Sequence, residues 1–213
     1  ILTFIEPWFL DRKLQLGVDL YYRNYAYYSP NDLYEETRGG GRVSLERALG
    51  SEFLRGGVNY TLETVKIDLT SDARTDPPYP AEVVNVPDDI LTATGSHLLS
   101  RLGSSLAYDT RNSVKLPDKG QRTELTAQVT GGPLGGSDSF YKLELNSAWY
   151  FRGLLPGHVL EVGGRTGVAQ AISGSDDVPF FERYYLGGLY SLRGFKYRYI
   201  SPRQVPNIPG NEP

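Results

Sequence analysis

Apolar and polar residues alternate with a period of two through most of the 213 residues, the pattern of strands that keep one apolar face. Leu14, Leu16, Val18, Leu20 and Tyr22 share one face, against Lys13, Gln15, Gly17, Asp19, Tyr21 and Arg23 on the other. Leu54, Val58, Tyr60 and Leu62 oppose Arg55, Asn59, Thr61 and Glu63. The alternation returns with Leu98, Leu102, Leu106 and Tyr108, and again with Leu125, Ala127 and Val129. It continues through Tyr141, Leu143, Leu145, Trp149 and Phe151, and ends with Leu160, Val162 and Val168. With a short run at Val43–Leu45 and an opening stub at Ile1–Glu6, this predicts eight strands.

Two runs, Lys13–Tyr28 and Glu52–Leu69, exceed the roughly 5–6 residues of an ordinary globular strand. Short connections fall near Pro7–Arg12, Ala48–Ser51 and Arg152–Gly157. Long ones fall near Ser29–Tyr34, Thr70–Thr94 and Gln170–Pro213, and Gly131–Asp138 is intermediate. Asp109–Gly120 is a longer turn where a short one belongs. Thr70–Thr94 is rich in Pro and Asp and reads as an irregular loop, with room for one helical turn at Asp88–Thr94. Aromatics gather at strand ends: Trp8 and Phe9, Tyr25 to Tyr28, Tyr108, and Trp149 to Phe151. Short turns at one end, long loops at the other and aromatic girdles fit an antiparallel transmembrane β-barrel better than a soluble β-sandwich.

Composition narrows the function. No apolar run approaches the ~20 residues of a membrane helix, but barrel strands hide their lipid face in the alternation. A net charge of −3, from 22 basic and 25 acidic residues, leaves no electrostatic footprint for nucleic acid. The absence of Cys removes disulfides, thiolate metal sites and Cys nucleophiles. No Met is present and Ile1 opens without a leader, so an internal or processed piece of a longer protein is expected.

Catalytic chemistry finds no footing. His97 and His158 are solitary, with no third ligand at metal spacing, and Ser104-Ser105 lacks a matched His and Asp. Gly39-Gly40-Gly41 precedes a strand and not a helix, so it is no phosphate loop. Glu63, Glu124, Glu144 and Glu161 share the polar face with Arg55, Arg101, Lys142 and Arg165, as on a hydrated barrel wall. No enzyme activity, catalytic residue, metal or cofactor is expected.

Two stretches stand outside the alternation. Phe181–Phe195, FERYYLGGLYSLRGF, sets Phe181, Tyr184, Tyr185, Tyr190 and Phe195 around Gly187-Gly188, and a loop so rich in aromatics should be tucked inside something. Asp109 and Arg111 read as an ion pair or a turn-forming Asx motif, in a structural role.

Together these stretches resemble the BamA superfamily of outer-membrane insertases and transporters. Phe181–Arg203 is similar to that family's sixth extracellular loop, with a glycine pair (Gly187-Gly188), the motif Arg193-Gly194-Phe195, and the ending Ser201-Pro202-Arg203, where Ser201 replaces the usual Gly. Asp109-Thr110-Arg111-Asn112 with Pro117 and Gly120 resembles a periplasmic turn of the family, and Glu6-Pro7-Trp8-Phe9 resembles a third pattern. The resemblance implies an incomplete segment of about eight strands of a barrel of about sixteen, from the end of the fourth strand through the eleventh. It implies strands over about 1–170 and a long inward-folding loop over 171–213. Polypeptide-transport-associated (POTRA) domains would stand upstream. It further implies a multi-pass protein of the outer membrane, in contact with the lipid bilayer, which folds and inserts other β-barrels. Its partners would be unfolded outer-membrane protein substrates, accessory lipoproteins and periplasmic chaperones. Arg193 would act as a loop latch, pairing with a carboxylate on a strand beyond residue 213. Alternatives are a polypeptide secretion transporter of the same superfamily, a passive porin, or a soluble β-sandwich binding module.

Overall fold

The computed structural model describes residues 1–26, 34–69, 88–172, 175, 177–189, 191–195, 198 and 200. Eight strands form a single antiparallel sheet: β1 (Leu2–Glu6), β2 (Gln15–Ala26), β3 (Tyr34–Ala48), β4 (Leu54–Leu69), β5 (Gly95–Asp109), β6 (Gly120–Thr130), β7 (Phe140–Arg152) and β8 (Val159–Ala171). Each strand is hydrogen-bonded to the next in chain order, and no second sheet lies among the described residues. This consecutive order is that of an up-and-down barrel wall. One helix, α1 (Asp88–Thr92), takes the place of the expected helical turn.

The chain divides into two compact units: Ile1–Arg23, Arg38–Val65 and His97–Val178 in the first, and Asn24–Thr37, Lys66–Ser96 and Pro179–Pro213 in the second. In the first, register stacks the apolar residues in rows. Leu106 pairs with Leu125 and Leu125 with Leu145, and Leu102 pairs with Val129 and Val129 with Tyr141. Leu106, Leu125 and Leu145 are 40–46% exposed, whereas Glu63 and Arg101 on the opposite face are buried. This inverts the arrangement of a soluble protein, in which such leucines would lie in the core. It is the arrangement that a hydrocarbon solvent selects.

β4 shows where that solvent ends. Its outward side carries exposed Val58, Tyr60 and Leu62, then turns polar at Thr64, Lys66 and Asp68. Its other side runs through buried Thr61 and Glu63 and then buried Val65 and Ile67. A strand of 16 residues exceeds the ~9–11 needed to cross a bilayer, so its far part continues beyond the apolar band. There the inner face becomes a small core: Val65, Leu99, Phe140 and Val178 are buried in the first unit.

One sequence expectation is corrected. Gly39-Gly40-Gly41 does not precede a strand but lies within β3, which starts at Tyr34 and is far longer than its apolar run at Val43–Leu45. A Cβ on Gly40 would meet the Leu62 carbonyl oxygen and lie 2.6 Å from the Glu63 Cα. The β4 backbone approaches too closely there for any side chain, so alternation is silent across this stretch.

The second unit has its own buried residues: Ile67, Ile90, Ala93, Phe180 and Phe181. Phe180 meets Tyr34 edge-on at 5.0 Å and Phe181 at 5.6 Å between ring centroids. The Arg183 guanidinium donates to the Asp89 carboxylate at 2.8 Å, tying the tract after residue 179 to α1.

Candidate functional site

The turn between β5 and β6 closes on itself. Arg111 donates through Nε and Nη2 to the two carboxylate oxygens of Asp109 at 2.9 and 2.7 Å, and its backbone N–H donates to Asp109 Oδ1 at 3.1 Å. Ion pair and Asx turn are thus present together. The hydrogen bonds that the Arg111 guanidinium donates to Asp109 hold it above its ordinary pKa, outweighing the lowering effect of burial. Asn112 Oδ1 accepts the backbone N–H groups of Asp118 and Lys119 at 3.1 and 3.2 Å, so the side chain staples the far limb of the turn. Pro117 is half-buried within it. Gly120 takes φ +98°, and a Cβ there would strike the Thr110 carbonyl oxygen, so glycine is required.

On the inner wall three strands converge on one carboxylate of β4, that of Glu63. The Tyr21 hydroxyl (β2) donates to Glu63 Oε2 at 2.8 Å, Arg38 Nη1 (β3) lies 3.4 Å from Glu63 Oε1, and Arg101 Nη2 (β5) pairs with the same oxygen. Arg165 pairs with Glu144 at 2.9 Å and Arg55 with Glu46 at 3.4 Å. Charges of both signs face one another along this wall, which braces neighbouring strands. Among the described residues no group of three or more His, Cys, Asp or Glu could hold a metal.

The tract after Pro179 divides its aromatics. Phe181 is buried and Tyr185 half-buried, but Tyr184 is 38% and Phe195 47% exposed, so the expectation that all five are tucked away does not hold in full for these two. Tyr190, Pro202 and Arg203 lie outside the described residues. A two-bond bridge joins Leu186 and Ile200, with N–H···O distances of 3.2 and 3.0 Å, and closes a loop around the motif. Gly188 donates to the Phe195 carbonyl at 2.9 Å, and Ser191 Oγ both accepts from Gly187 N–H and donates to Gly187 C=O. Gly187, Gly188 and Gly194 all take positive φ. Arg193 stands exposed on this loop, with no hydrogen bond or ion pair among the described residues.

Two further groups carry contacts that sequence patterns did not single out. Arg198 stacks 4.7 Å over the Tyr185 ring and donates to the Tyr34 hydroxyl at 2.6 Å, so it anchors the loop that bears Arg193. Burial raises the Tyr185 phenol above its ordinary pKa, against the opposing charge of Arg198. His97, solitary in sequence, meets Asp138 with 2.8 Å between Nδ1 and Oδ2, across 41 positions of chain.

Comparison with known proteins places this architecture. The family model described as the Omp85 superfamily domain matches residues 1–211. The outer membrane protein assembly factor BamA of Nitratidesulfovibrio vulgaris is 31% identical over 205 residues, 95% of this chain and 23% of that protein. BamA of Neisseria meningitidis serogroup B is 32% identical over 93 residues, 43% of this chain and 11% of that protein. The crystal structure of BamA from Haemophilus ducreyi lacking POTRA domains 1-3 shares the fold, with a TM-score of 0.68 at 20% identity over 94% of this chain and 38% of that one. The chain thus spans less than a quarter of the curated relatives' length. It belongs to the Omp85 superfamily, as a β-barrel segment of an outer-membrane protein.

Proposed function

We propose that the parent protein is an outer-membrane protein assembly factor, which folds and inserts β-barrel proteins into the outer membrane. The observation that carries this reading is the 31% identity over 95% of the chain to a protein of that name. The segment contributes barrel wall, a lipid-facing surface and the loop bearing Arg193. In this reading no bond is made or broken, and the protein is not an enzyme. Assembly proceeds by local perturbation of lipid and by strand edges that template incoming strands through β-augmentation. Unfolded outer-membrane proteins are the substrates, and accessory lipoproteins and periplasmic chaperones deliver them. Arg193 serves as the latch of its loop, its planar guanidinium taking a carboxylate bidentately, with Gly194 and Phe195 setting the local path and packing.

Depletion of the full-length protein tests the reading. Loss of many unrelated folded outer-membrane barrels in parallel is expected. Loss of a single secreted polypeptide, with resident barrels intact, would instead mark a secretion transporter. The membrane placement has its own check. Single-Cys variants at Leu16, Val18, Leu143 and Leu145 should resist a water-soluble maleimide in the reconstituted protein, and ready labelling would refute the lipid-facing assignment.

A further inference from the structure

At the turn end of the first unit, β6 and β7 border a cleft of about 500 Å³ lined in part by Thr110, Lys119, Gln121, Trp149, Phe151 and Arg152. Its lining holds two cations and no carboxylate. The Lys119 side chain makes no hydrogen bond or ion pair among the described residues. Arg152 gives its Nε to Asp118 at 2.9 Å, and neither terminal nitrogen has an acceptor among the described residues. Trp149 and Phe151 share the outward side of β7 with Leu143 and Leu145, whereas Tyr150 and Arg152, which also line the cleft, alternate to its other side, so the cleft lies at the strand end, where the exposed apolar face gives way to a basic rim.

The turns on either side are uncovered. Leu116 is 85% exposed beside Val114 in the β5–β6 turn, and Leu154 is fully exposed beside Leu155 in the β7–β8 turn. A water-facing turn gains nothing from four such residues. Exposed hydrocarbon, interfacial aromatics and cations gathered at one end of a sheet are what a headgroup region selects. Leu or Val reaches into the acyl boundary, an indole sits at its level, and Lys or Arg extends towards phosphate.

We infer that this cleft binds an anionic phospholipid of the leaflet at the turn end. Its phosphate lies between Lys119 and Arg152, and its acyl chains run along Trp149 and Phe151. The tips at Leu116 and Leu154 sink among the neighbouring headgroups. A net negative headgroup is favoured over a zwitterionic one because Asp118 offsets only one of the two cations. The site would hold the barrel at a fixed depth beside the β5–β6 turn. The inference rests on the membrane placement of the apolar face and not on the assembly reading.

The test uses the full-length protein in nanodiscs of mixed phosphatidylcholine and phosphatidylglycerol, with retained lipid counted by native mass spectrometry after transfer to detergent. The wild type should retain phosphatidylglycerol in preference, and the double variant Lys119→Gln, Arg152→Gln should retain roughly tenfold less. Lys119→Gln alone removes no side-chain hydrogen bond or ion pair among the described residues, so it should fold, migrate as a heat-modifiable barrel, and still lose part of the preference. Equal retention by this single variant and the wild type overturns the inference, as does retention indifferent to headgroup charge. A fluorophore on Leu154→Cys should be quenched by brominated lipid. An unquenched probe, as when a protein domain covers the tip, also overturns it.

Discussion

Arg111 and Arg193 stand in short, glycine-bearing motifs, one in the turn after β5 and one in the loop closed by Leu186 and Ile200. Each has a glycine at positive φ close by, Gly120 at +98° and Gly194 at +92°. Around Arg111 the motif's own charged and capping groups find partners within the turn: the guanidinium in Asp109, and two N–H groups of the far limb in Asn112. Around Arg193 the backbone is held, by Ser191 and by the bond from Gly188 to Phe195, while the guanidinium extends outward. A motif that satisfies itself shapes the scaffold. One that fixes its backbone and presents its charge is suited to a partner group elsewhere.

Substitutions in the full-length protein turn this contrast into ordered expectations. Gly120→Ala should be the most damaging to stability, by about 2–4 kcal/mol, because a Cβ meets the Thr110 carbonyl in a backbone region that alanine disfavours. The midpoint of heat-modifiable gel migration would report it. Asp109→Asn should follow at about 1–3 kcal/mol, since a bidentate charge-assisted pair is replaced by a neutral one. Arg198→Ala removes a stacked cation and one hydrogen bond at the loop's base. A loss of about 1 kcal/mol is expected, seen as faster proteolysis near residue 190 with the sheet unaffected. Arg193→Ala should change stability least, within about 0.5 kcal/mol, yet lower assembly of substrate barrels. If Arg193→Ala destabilises the barrel as much as Asp109→Asn does, the contrast between the motifs fails.

The sheet was legible in the sequence because each strand separates two media, and its apolar and polar positions record which is which. The rows at Leu102, Leu106, Leu125, Leu143 and Leu145 came through without loss. β3 was the exception, since Arg38–Arg42 has glycines where alternation would need side chains, and the reason lies in how closely β4 passes Gly40. Glu63 and Arg101 could be assigned to the polar face, but only strand register brings them together with Tyr21 and Arg38. His97 and Asp138 likewise meet through tertiary structure. Arg198 carried no sequence signal, because it lies beyond the glycine motif and its partners Tyr34 and Tyr185 are set by folding. The aromatic tract was legible as a packed loop only in part. Aromatic content alone could not separate buried Phe181 from exposed Phe195.

The most direct measurement compares Asp109→Asn and Arg193→Ala for the rate at which the reconstituted full-length protein inserts a substrate barrel, normalised to the fraction folded. Normalisation should restore Asp109→Asn to the wild-type rate, because its defect is one of scaffold, and should leave Arg193→Ala slow. A normalised rate for Arg193→Ala equal to the wild type would contradict the account.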